Sequence, residues 1–266
     1  MTSESPVLAE QMLGDFSWSF SAYSSAVRCL RLFKYAYIDK IRAEVPEQDS
    51  LVFGSAIHSA INAVLTGQDG AAVFEMYWMS YKDKDVTYGR HGWSDLAKMG
   101  AEFIRKFQKM HAPKYQLTFA EQRLYGEYKG VKFDGQPDFF GYYDGKRSNR
   151  DFKTAGYNYK PEKADTALQL YLYSYLGLVN GHGLPETLGY TVFSKGTGSI
   201  QDLTWDFSEQ KMYQALDSLV DYCNVIGTQT TYPQNFNACL DFNKKCDHFA
   251  ICHPKETVNE PSPETV

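Results

Sequence analysis

The stretch GQPDFFGYYDGKRSNRDFKT, residues 135–154, decides how this chain folds. Its Asp144-Gly145 pair is a strong signal for a two-residue hairpin turn. With that turn, Asp138 faces Asp151 across two antiparallel strands. Because side chains alternate between the faces of a strand, Lys153 lies on the same face as Asp151. The sequence therefore predicts two carboxylates and an ammonium group at one point.

Two carboxylates that face each other repel, so we expect a cation to bind beside this hairpin. Mg²⁺ prefers oxygen ligands and keeps several waters, which leaves a position open for a phosphate. Such an ion polarises a phosphoryl oxygen and lowers the pKa of a bound water. Lys153 would orient the water or stabilise the charge that develops during phosphodiester hydrolysis. The alternative is that Asp138 and Asp151 are two ordinary surface acids on a hairpin.

A second turn is predicted at Lys129-Gly130, just before the decisive stretch. A two-residue loop there places Glu121 opposite Asp138. The result is a three-stranded meander with Glu121, Asp138 and Asp151 on one rung, so Glu121 is a further candidate metal ligand. One β-bulge would shift this pairing.

The length of 266 residues favours one large domain over two, because a chain of this length can bury roughly three quarters of its unfolded surface. A net charge of −5 argues against a protein that simply coats DNA. No run of 18 apolar residues is present, so no membrane association is expected. The first residues do not resemble a signal peptide, which predicts a cytoplasmic protein with reduced or metal-bound cysteines.

Hydrophobic periodicity predicts a mixed α/β fold. We expect a flexible N-terminus over 1–15, a single domain over 16–253 and a disordered tail over 254–266. The predicted helices cover 16–39, 53–65, 71–81, 94–111, 162–180 and 208–226, and two further strands cover 188–195 and 200–206. The early helices would form a helical N-terminal layer beside a central mixed sheet.

Three polar residues on predicted helices are further candidates for a site. His58 lies on an otherwise apolar helix, where imidazole would be a metal ligand or a buried, hydrogen-bonded side chain. Gln169 and Tyr173 are four residues apart and therefore share a helix face. An amide and a phenol together can bind a phosphate or a base edge, or they can form an ordinary helix rim.

Four of the five cysteines have a layout that suggests one site. Cys223 stands apart on an apolar helix and is expected in the core. The other four are Cys29, Cys239, Cys246 and Cys252. They could hold an iron–sulfur cluster or zinc, with His248 and His253 nearby as substitute ligands, or they could be scattered buried thiols. Paired Cys-x2-Cys knuckles, which are usual in zinc ribbons, are absent from the sequence.

Five motifs in this order resemble those of the PD-(D/E)xK nuclease superfamily. They are Phe20-Ser21 … Cys29 … Phe33-Lys34-Tyr35-Ala36-Tyr37-Ile38, Gly54-x-x-x-His58, Gly135-Gln136-Pro137-Asp138, Asp151-Phe152-Lys153-Thr154 and Gln169-x-x-x-Tyr173. The resemblance covers about 16–253 and is greatest to RecB-like exonucleases with an iron–sulfur cluster, among them CRISPR-associated and compact phage members. It implies a restriction-endonuclease-like core.

The resemblance also implies a role for each matching residue. Metal ligands would be His58, Asp138, Asp151 and the Phe152 carbonyl, with looser support for Glu121. Lys153 would be catalytic, while Gln169 and Tyr173 would support the DNA or the active site. A [4Fe–4S] cluster would be held by Cys29, Cys239, Cys246 and Cys252. The chain departs from the pattern at Leu30, where a proline is common, and at Asn243, where the first cysteine of the C-terminal trio is common.

The sequence thus predicts a Mg²⁺- or Mn²⁺-dependent DNA exonuclease that acts on free ends or single strands. Its setting would be DNA recombination, repair or end processing in a bacterial or phage-infected cytoplasm, with a helicase or recombination protein as a possible partner. The first alternative is a non-catalytic DNA-binding subunit of the same fold with a structural cluster. The second is a site-specific endonuclease, for which the sequence offers no reading module.

Overall fold

A computed structural model of the chain describes residues 15–43, 45–241 and 245–254. Apart from Asp15 and Pro254, the predicted flexible N-terminus and disordered tail lie outside the described residues. The chain divides into two compact units. The larger unit consists of Asp15–Phe20 and Pro46–Gly227, and the smaller one combines Ser21–Val45 with the chain from Thr228 onwards.

The larger unit is built on a five-stranded mixed sheet with the strand order β3-β6-β7-β8-β9. The strands of the chain are β1 (Glu47–Gln48), β2 (Val86–Thr87), β3 (Tyr115–Phe119), β4 (Leu124–Tyr128), β5 (Val131–Gly135), β6 (Phe139–Tyr143), β7 (Lys146–Ala155), β8 (Thr187–Ser194) and β9 (Ser199–Asp206). Only β7 and β8 run parallel within this sheet, and the chain between them includes a helix, as a parallel connection requires.

The hairpin of β6 and β7 has the predicted turn and register. Asp144 and Gly145 both have positive φ angles, 47° and 78°, as a type I′ turn requires. Tyr143 pairs with Lys146 and Phe139 pairs with Arg150. Extending this register by one residue places Asp138 opposite Asp151. The predicted arrangement of the decisive stretch is therefore confirmed.

The predicted three-stranded meander is wrong, although its second turn is confirmed. Tyr128 pairs with Val131 around Lys129-Gly130, but β4 and β5 form a separate two-stranded sheet. The neighbour of β6 is β3. Glu121 has a positive φ of 52° and lies in the turn after β3, where its backbone N–H donates to the carbonyl of Pro137 over 2.9 Å. This bond places Glu121 near Asp138, although the two residues are not paired on neighbouring strands.

Helices cover both faces of the sheet. Those of the larger unit are α3 (Asp49–Leu65), α4 (Gly70–Met79), α5 (Trp93–Lys106), α6 (Leu168–Val179) and α7 (Glu209–Gly227). On one face, Phe139, Phe152 and Phe193 pack into a buried core with α3, α4 and α5. These features confirm the mixed α/β class with a central mixed sheet flanked by helices. No helix in the described part of the chain is long and apolar enough to cross a membrane.

Three predicted helices are shorter than expected. The one predicted over 94–111 changes into a π-helical turn at Phe107–His111. The one predicted over 162–180 begins only at Leu168, because Pro161–Thr166 forms a separate 3-10 turn. In the smaller unit, the helix predicted over 16–39 breaks at Cys29, whose backbone is extended. It becomes α1 (Phe20–Arg28), α2 (Leu30–Phe33) and a π-helical turn (Lys34–Ile38), and a last short helix, α8, covers Phe249–Cys252.

Candidate active site

Asp138, Asp151 and Lys153 meet at one end of the β6–β7 hairpin. Asp138 lies just before β6, and its Oδ2 accepts a 2.8 Å hydrogen bond from the backbone N–H of Phe152. Asp151 points from β7 and is only 1% exposed. The Lys153 ammonium lies 2.7 Å from Asp151 Oδ2. The alternation of strand side chains therefore places the lysine beside the carboxylate, as the sequence predicts.

His58 approaches this pair from α3. Its Nδ1 lies 3.5 Å from Asp138 Oδ1, and its ring stands edge-on to the ring of Phe152. Burial lowers the pKa of His58, but the Asp138 carboxylate outweighs burial and the pKa is raised overall. The protonated imidazole therefore partly neutralises the negative charge of Asp138.

The two aspartates have opposite pKa shifts. Burial, reinforced by the Asp138 carboxylate, raises the pKa of Asp151 to about 6, although Lys153 opposes this. Burial also acts on Asp138, but His58, Lys153 and the N–H of Phe152 outweigh it and lower the pKa of this carboxyl. Two neighbouring carboxylates that share a single ammonium group favour the binding of a further cation.

Lys153 is held by a short chain of hydrogen bonds to α6. Its ammonium donates to Gln169 Oε1 over 3.2 Å, and Gln169 Nε2 donates to the Tyr173 hydroxyl over 3.1 Å. Burial lowers the pKa of Lys153, but the Asp151 carboxylate outweighs it, so the pKa is raised and the ammonium keeps its proton. Gly135 lets this chain form, because a Cβ there would lie 2.5 Å from the Tyr173 ring.

Glu121 belongs to the same cluster. Its Oε2 accepts a 3.1 Å hydrogen bond from Nδ2 of Asn62, which is one helical turn after His58 on α3. Burial and the Asp138 carboxylate raise the pKa of Glu121, and His58 opposes them. Asn62 is not among the residues predicted from the sequence, although its spacing of four from His58 was the available signal.

A groove of about 530 Å³ runs between α3 and β7 and opens onto this cluster. Besides four residues of the cluster or its strand (His58, Glu121, Phe152 and Lys153), it is lined by Ser50, Leu51, Gly54, Ser55, Ser59 and Thr154. Because Gly54 has no Cβ, α3 can approach β7 closely at this point, and a Cβ there would lie only 3.3 Å from Thr154 Oγ1. Hydroxyl groups and a close backbone suit a sugar–phosphate chain.

The donor chemistry of the cluster fits a hard divalent cation. Asp138, Asp151, Glu121 and the Phe152 carbonyl offer the oxygen ligands that Mg²⁺ prefers, and His58 adds a nitrogen that Mn²⁺ tolerates. Burial is the main cause of the raised pKa values of Asp151 and Glu121, and the negative charge of Asp138 adds to both shifts. The carboxylates are paired with His58 and Lys153, and in the described part of the chain no three His, Cys, Asp or Glu side chains are arranged to hold a metal ion.

The four candidate cysteines of the smaller unit line one small cavity. They are Cys29, Cys239, Cys246 and Cys252. Its volume of about 10 Å³ has room for roughly one water molecule. Burial raises the pKa of Cys246 and Cys252, and the other thiols of the group contribute to these shifts. In the larger unit, Cys223 is 3% exposed and burial raises its pKa to about 12, so the predicted core position is confirmed.

Comparison with known proteins assigns this fold and cluster to a class. A family model of the PD-(D/E)XK nuclease superfamily matches residues 17–253. The chain therefore belongs to the PD-(D/E)XK nuclease superfamily, whose members usually use divalent metals such as Mg²⁺. Membership supports a nuclease and confirms the restriction-endonuclease-like fold. No curated protein matches the chain.

Several solved structures are similar to the chain, and two of them illustrate the range. One is the crystal structure of a "Putative exonuclease" from Eubacterium rectale, with 12% identity, a TM-score of 0.55 and coverage of 98% of this chain and 96% of that one. This similarity shows a shared fold. The other is the crystal structure of SSO0001, with 13% identity, a TM-score of 0.33 and coverage of 86% and 95%. A similarity this low adds nothing to the assignment.

Proposed function

We propose that the protein is a Mg²⁺- or Mn²⁺-dependent DNA exonuclease. The observation that supports this most is the convergence of Asp138, Asp151 and Lys153 at one point, beside a groove that Lys153 lines, within a chain of the PD-(D/E)XK nuclease superfamily. These are the groups that phosphodiester hydrolysis needs: carboxylates for a cation and an ammonium for developing charge.

Each residue of the cluster has a role in this proposal. Asp138, Asp151 and the Phe152 carbonyl would hold the metal ion, with His58 and Glu121 as further ligands. The bound ion would polarise the phosphoryl oxygen and lower the pKa of a bound water. Lys153 stays protonated, donates to the phosphate and balances the negative charge of the transition state. Gln169 and Tyr173 keep Lys153 aimed at the substrate.

The substrate in this proposal is a DNA strand with a free end. The groove is lined by serine hydroxyls and a glycine backbone, which contact a sugar–phosphate chain without reading its sequence. The fold shared with the Eubacterium rectale protein is consistent with this choice. We place the enzyme in recombination, repair or end processing in the cytoplasm, where a helicase could supply single strands.

A non-catalytic DNA-binding subunit is the competing proposal. It would need no ordered lysine beside the carboxylates. A non-catalytic copy of the fold would be expected to have lost at least one of Asp138, Asp151 and Lys153, whereas this chain keeps all three and holds Lys153 2.7 Å from Asp151. Catalysis is therefore the better proposal.

The four cysteines support a second proposal, a [4Fe–4S] cluster that marks a RecB-like subtype. The supporting observation is that all four line one cavity. The cavity is smaller than a cluster, so the thiols would have to move apart on binding. Protein purified without oxygen should contain about four iron atoms and be brown. Equimolar zinc, or neither metal, would contradict this proposal.

Incubation with end-labelled DNA tests the main proposal. Purified protein is mixed with single- or double-stranded DNA and with Mg²⁺, Mn²⁺ or EDTA. We expect shortening of the DNA with either metal and none with EDTA. Undiminished degradation in EDTA would contradict the metal-dependent mechanism, and intact DNA under every condition would favour the non-catalytic subunit.

A further inference from the structure

Tyr159 lies beside the candidate active site in a segment that none of the motifs covers. It follows β7 by four residues and is half-buried. Its ring packs edge-on against Tyr190, with 5.5 Å between the ring centroids. Tyr190 of β8 is the direct sheet neighbour of Asp151, so both side chains lie on the same face. The ring of Tyr159 therefore sits over the row that carries Asp151.

Gln201, on the edge strand β9, fixes the backbone of Tyr159. Its Oε1 accepts from the Tyr159 N–H over 2.8 Å, and its Nε2 donates to the Tyr159 carbonyl over 3.0 Å. Gln201 pairs with Val192, which pairs with Lys153, so this amide lies in the same row as the lysine. Two hydrogen bonds from one planar amide leave the residue little freedom.

The hydroxyl of Tyr159 is available for a ligand. In the described part of the chain, no group forms a hydrogen bond with it, although the ring and backbone of the residue are held. Burial raises the pKa of Tyr159, with Lys153 opposing and Asp151 reinforcing the shift. The hydroxyl therefore keeps its proton at neutral pH. Lys163 adds positive charge, with its ammonium 5.7 Å from the ring centroid.

We propose that Tyr159 is a substrate-binding residue whose hydroxyl donates a hydrogen bond to a phosphate oxygen of the DNA strand held at Asp151 and Lys153. Gln201 is the positioning residue that aims it. The inference rests on the proposed function and adds to it a contact that the superfamily motifs do not contain. A phosphate oxygen is the fitting acceptor, because phosphates are the hydrogen-bond acceptors that recur along a DNA strand whatever its sequence.

Three variants and one control test the inference. Tyr159→Phe removes only the hydroxyl and keeps the packing on Tyr190. Gln201→Ala removes the two backbone hydrogen bonds, and the third variant combines both changes. Tyr125→Phe is the matched control, because Tyr125 is 61% exposed on β4, which belongs to a different sheet from the strand that carries Asp151 and Lys153. The readouts are kcat/KM on an end-labelled single strand and DNA affinity in a Lys153→Ala background, where cleavage is expected to be too slow to consume the DNA during the binding measurement.

Tyr159→Phe should lower kcat/KM by about 10- to 100-fold, the effect of one hydrogen bond to a charged group. DNA affinity should fall in the same direction, and Tyr125→Phe should change neither readout. Gln201→Ala should also lower kcat/KM, yet it should add little to the Tyr159→Phe variant, because it acts through the same hydroxyl. Equal melting temperatures of wild type and Tyr159→Phe exclude a folding defect.

Two results would overturn the inference while leaving the proposed function intact. The first is an active wild type with an unchanged Tyr159→Phe variant. The second is a strictly additive loss in the double variant, which overturns the role of Gln201. Failure of the proposed function gives a different result: wild type does not cleave. In that case weaker DNA binding by Tyr159→Phe still supports the contact, and unchanged or absent binding contradicts it.

Discussion

The backbone N–H of Phe152 donates a hydrogen bond to the carboxylate of Asp138 over 2.8 Å. This bond joins the residue before β6 to the middle of β7, so the two carboxylates of the cluster cannot move independently. Oδ2 of Asp138 accepts this hydrogen bond, and Oδ1 faces His58. The backbone of the hairpin thus fixes the Asp138 carboxylate, whereas the Asp151 carboxylate is paired with Lys153.

Replacement of Lys153 by alanine should lower kcat by about 100- to 1000-fold, the usual cost of removing one group that stabilises a transition state. Lys129→Ala is the matched control, since Lys129 is an exposed lysine that pairs with Asp217. Single-turnover cleavage of end-labelled DNA measures the effect. Equal rates for wild type and the Lys153 variant would remove this residue from the mechanism.

Gln169→Leu should lower kcat by about 10- to 100-fold with little change in KM, because the amide orients Lys153 and does not bind substrate itself. Tyr173→Phe should cost less, since its hydroxyl only supports the amide of Gln169. Steady-state kinetics on one oligonucleotide compares both variants with wild type. A larger effect on KM than on kcat would instead make Gln169 a DNA-binding residue.

Gly135→Ala should destabilise the fold by about 1–3 kcal/mol and reduce activity, because the new methyl group would overlap the ring of Tyr173. Gly156→Ala is the matched control, as a Cβ at Gly156 meets no atom within 4 Å. Urea denaturation gives the free energy of unfolding for both. The account of Gly135 fails if the two variants are equally stable.

The Asp202 network gives a prediction for pH. Asp202 lies 2.7 Å from His111 and 3.6 Å from the fully buried Arg150. Burial would raise the pKa of Asp202, but these partners outweigh it and lower the pKa below its usual value. The ionised carboxylate therefore stabilises the fold at neutral pH, and this contribution is lost as the pH falls below about 4 toward the folded-state pKa.

Asp202→Asn should lower the free energy of unfolding at pH 7 by about 3 kcal/mol, because Arg150 loses its buried partner. It should also flatten the fall in stability below about pH 4. Urea denaturation at pH 7 and at several acid pH values measures both effects. Parallel stability curves for variant and wild type would show that Asp202 carries no such linkage.

The sequence was sufficient for the parts of the site that depend on local rules. An Asp-Gly turn and strand alternation placed Asp138, Asp151 and Lys153 together, and helical spacing placed Gln169 beside Tyr173. Glu121 was expected in the right place for the wrong reason, since no local rule shows that β3 borders β6. The position of Tyr159 beside Asp151 could not be predicted in this way, because its partner Gln201 is 42 residues away and meets it only through sheet pairing.

Cleavage of linear and circular single-stranded DNA in one tube is the most direct test of the central claim. Wild type and Lys153→Ala are each given both substrates with Mn²⁺. We predict that wild type degrades the linear strand and leaves the circle intact, while the variant leaves both intact. Cleavage of the circle as fast as the linear strand would contradict an exonuclease, and equal degradation by the variant would contradict the proposed active site.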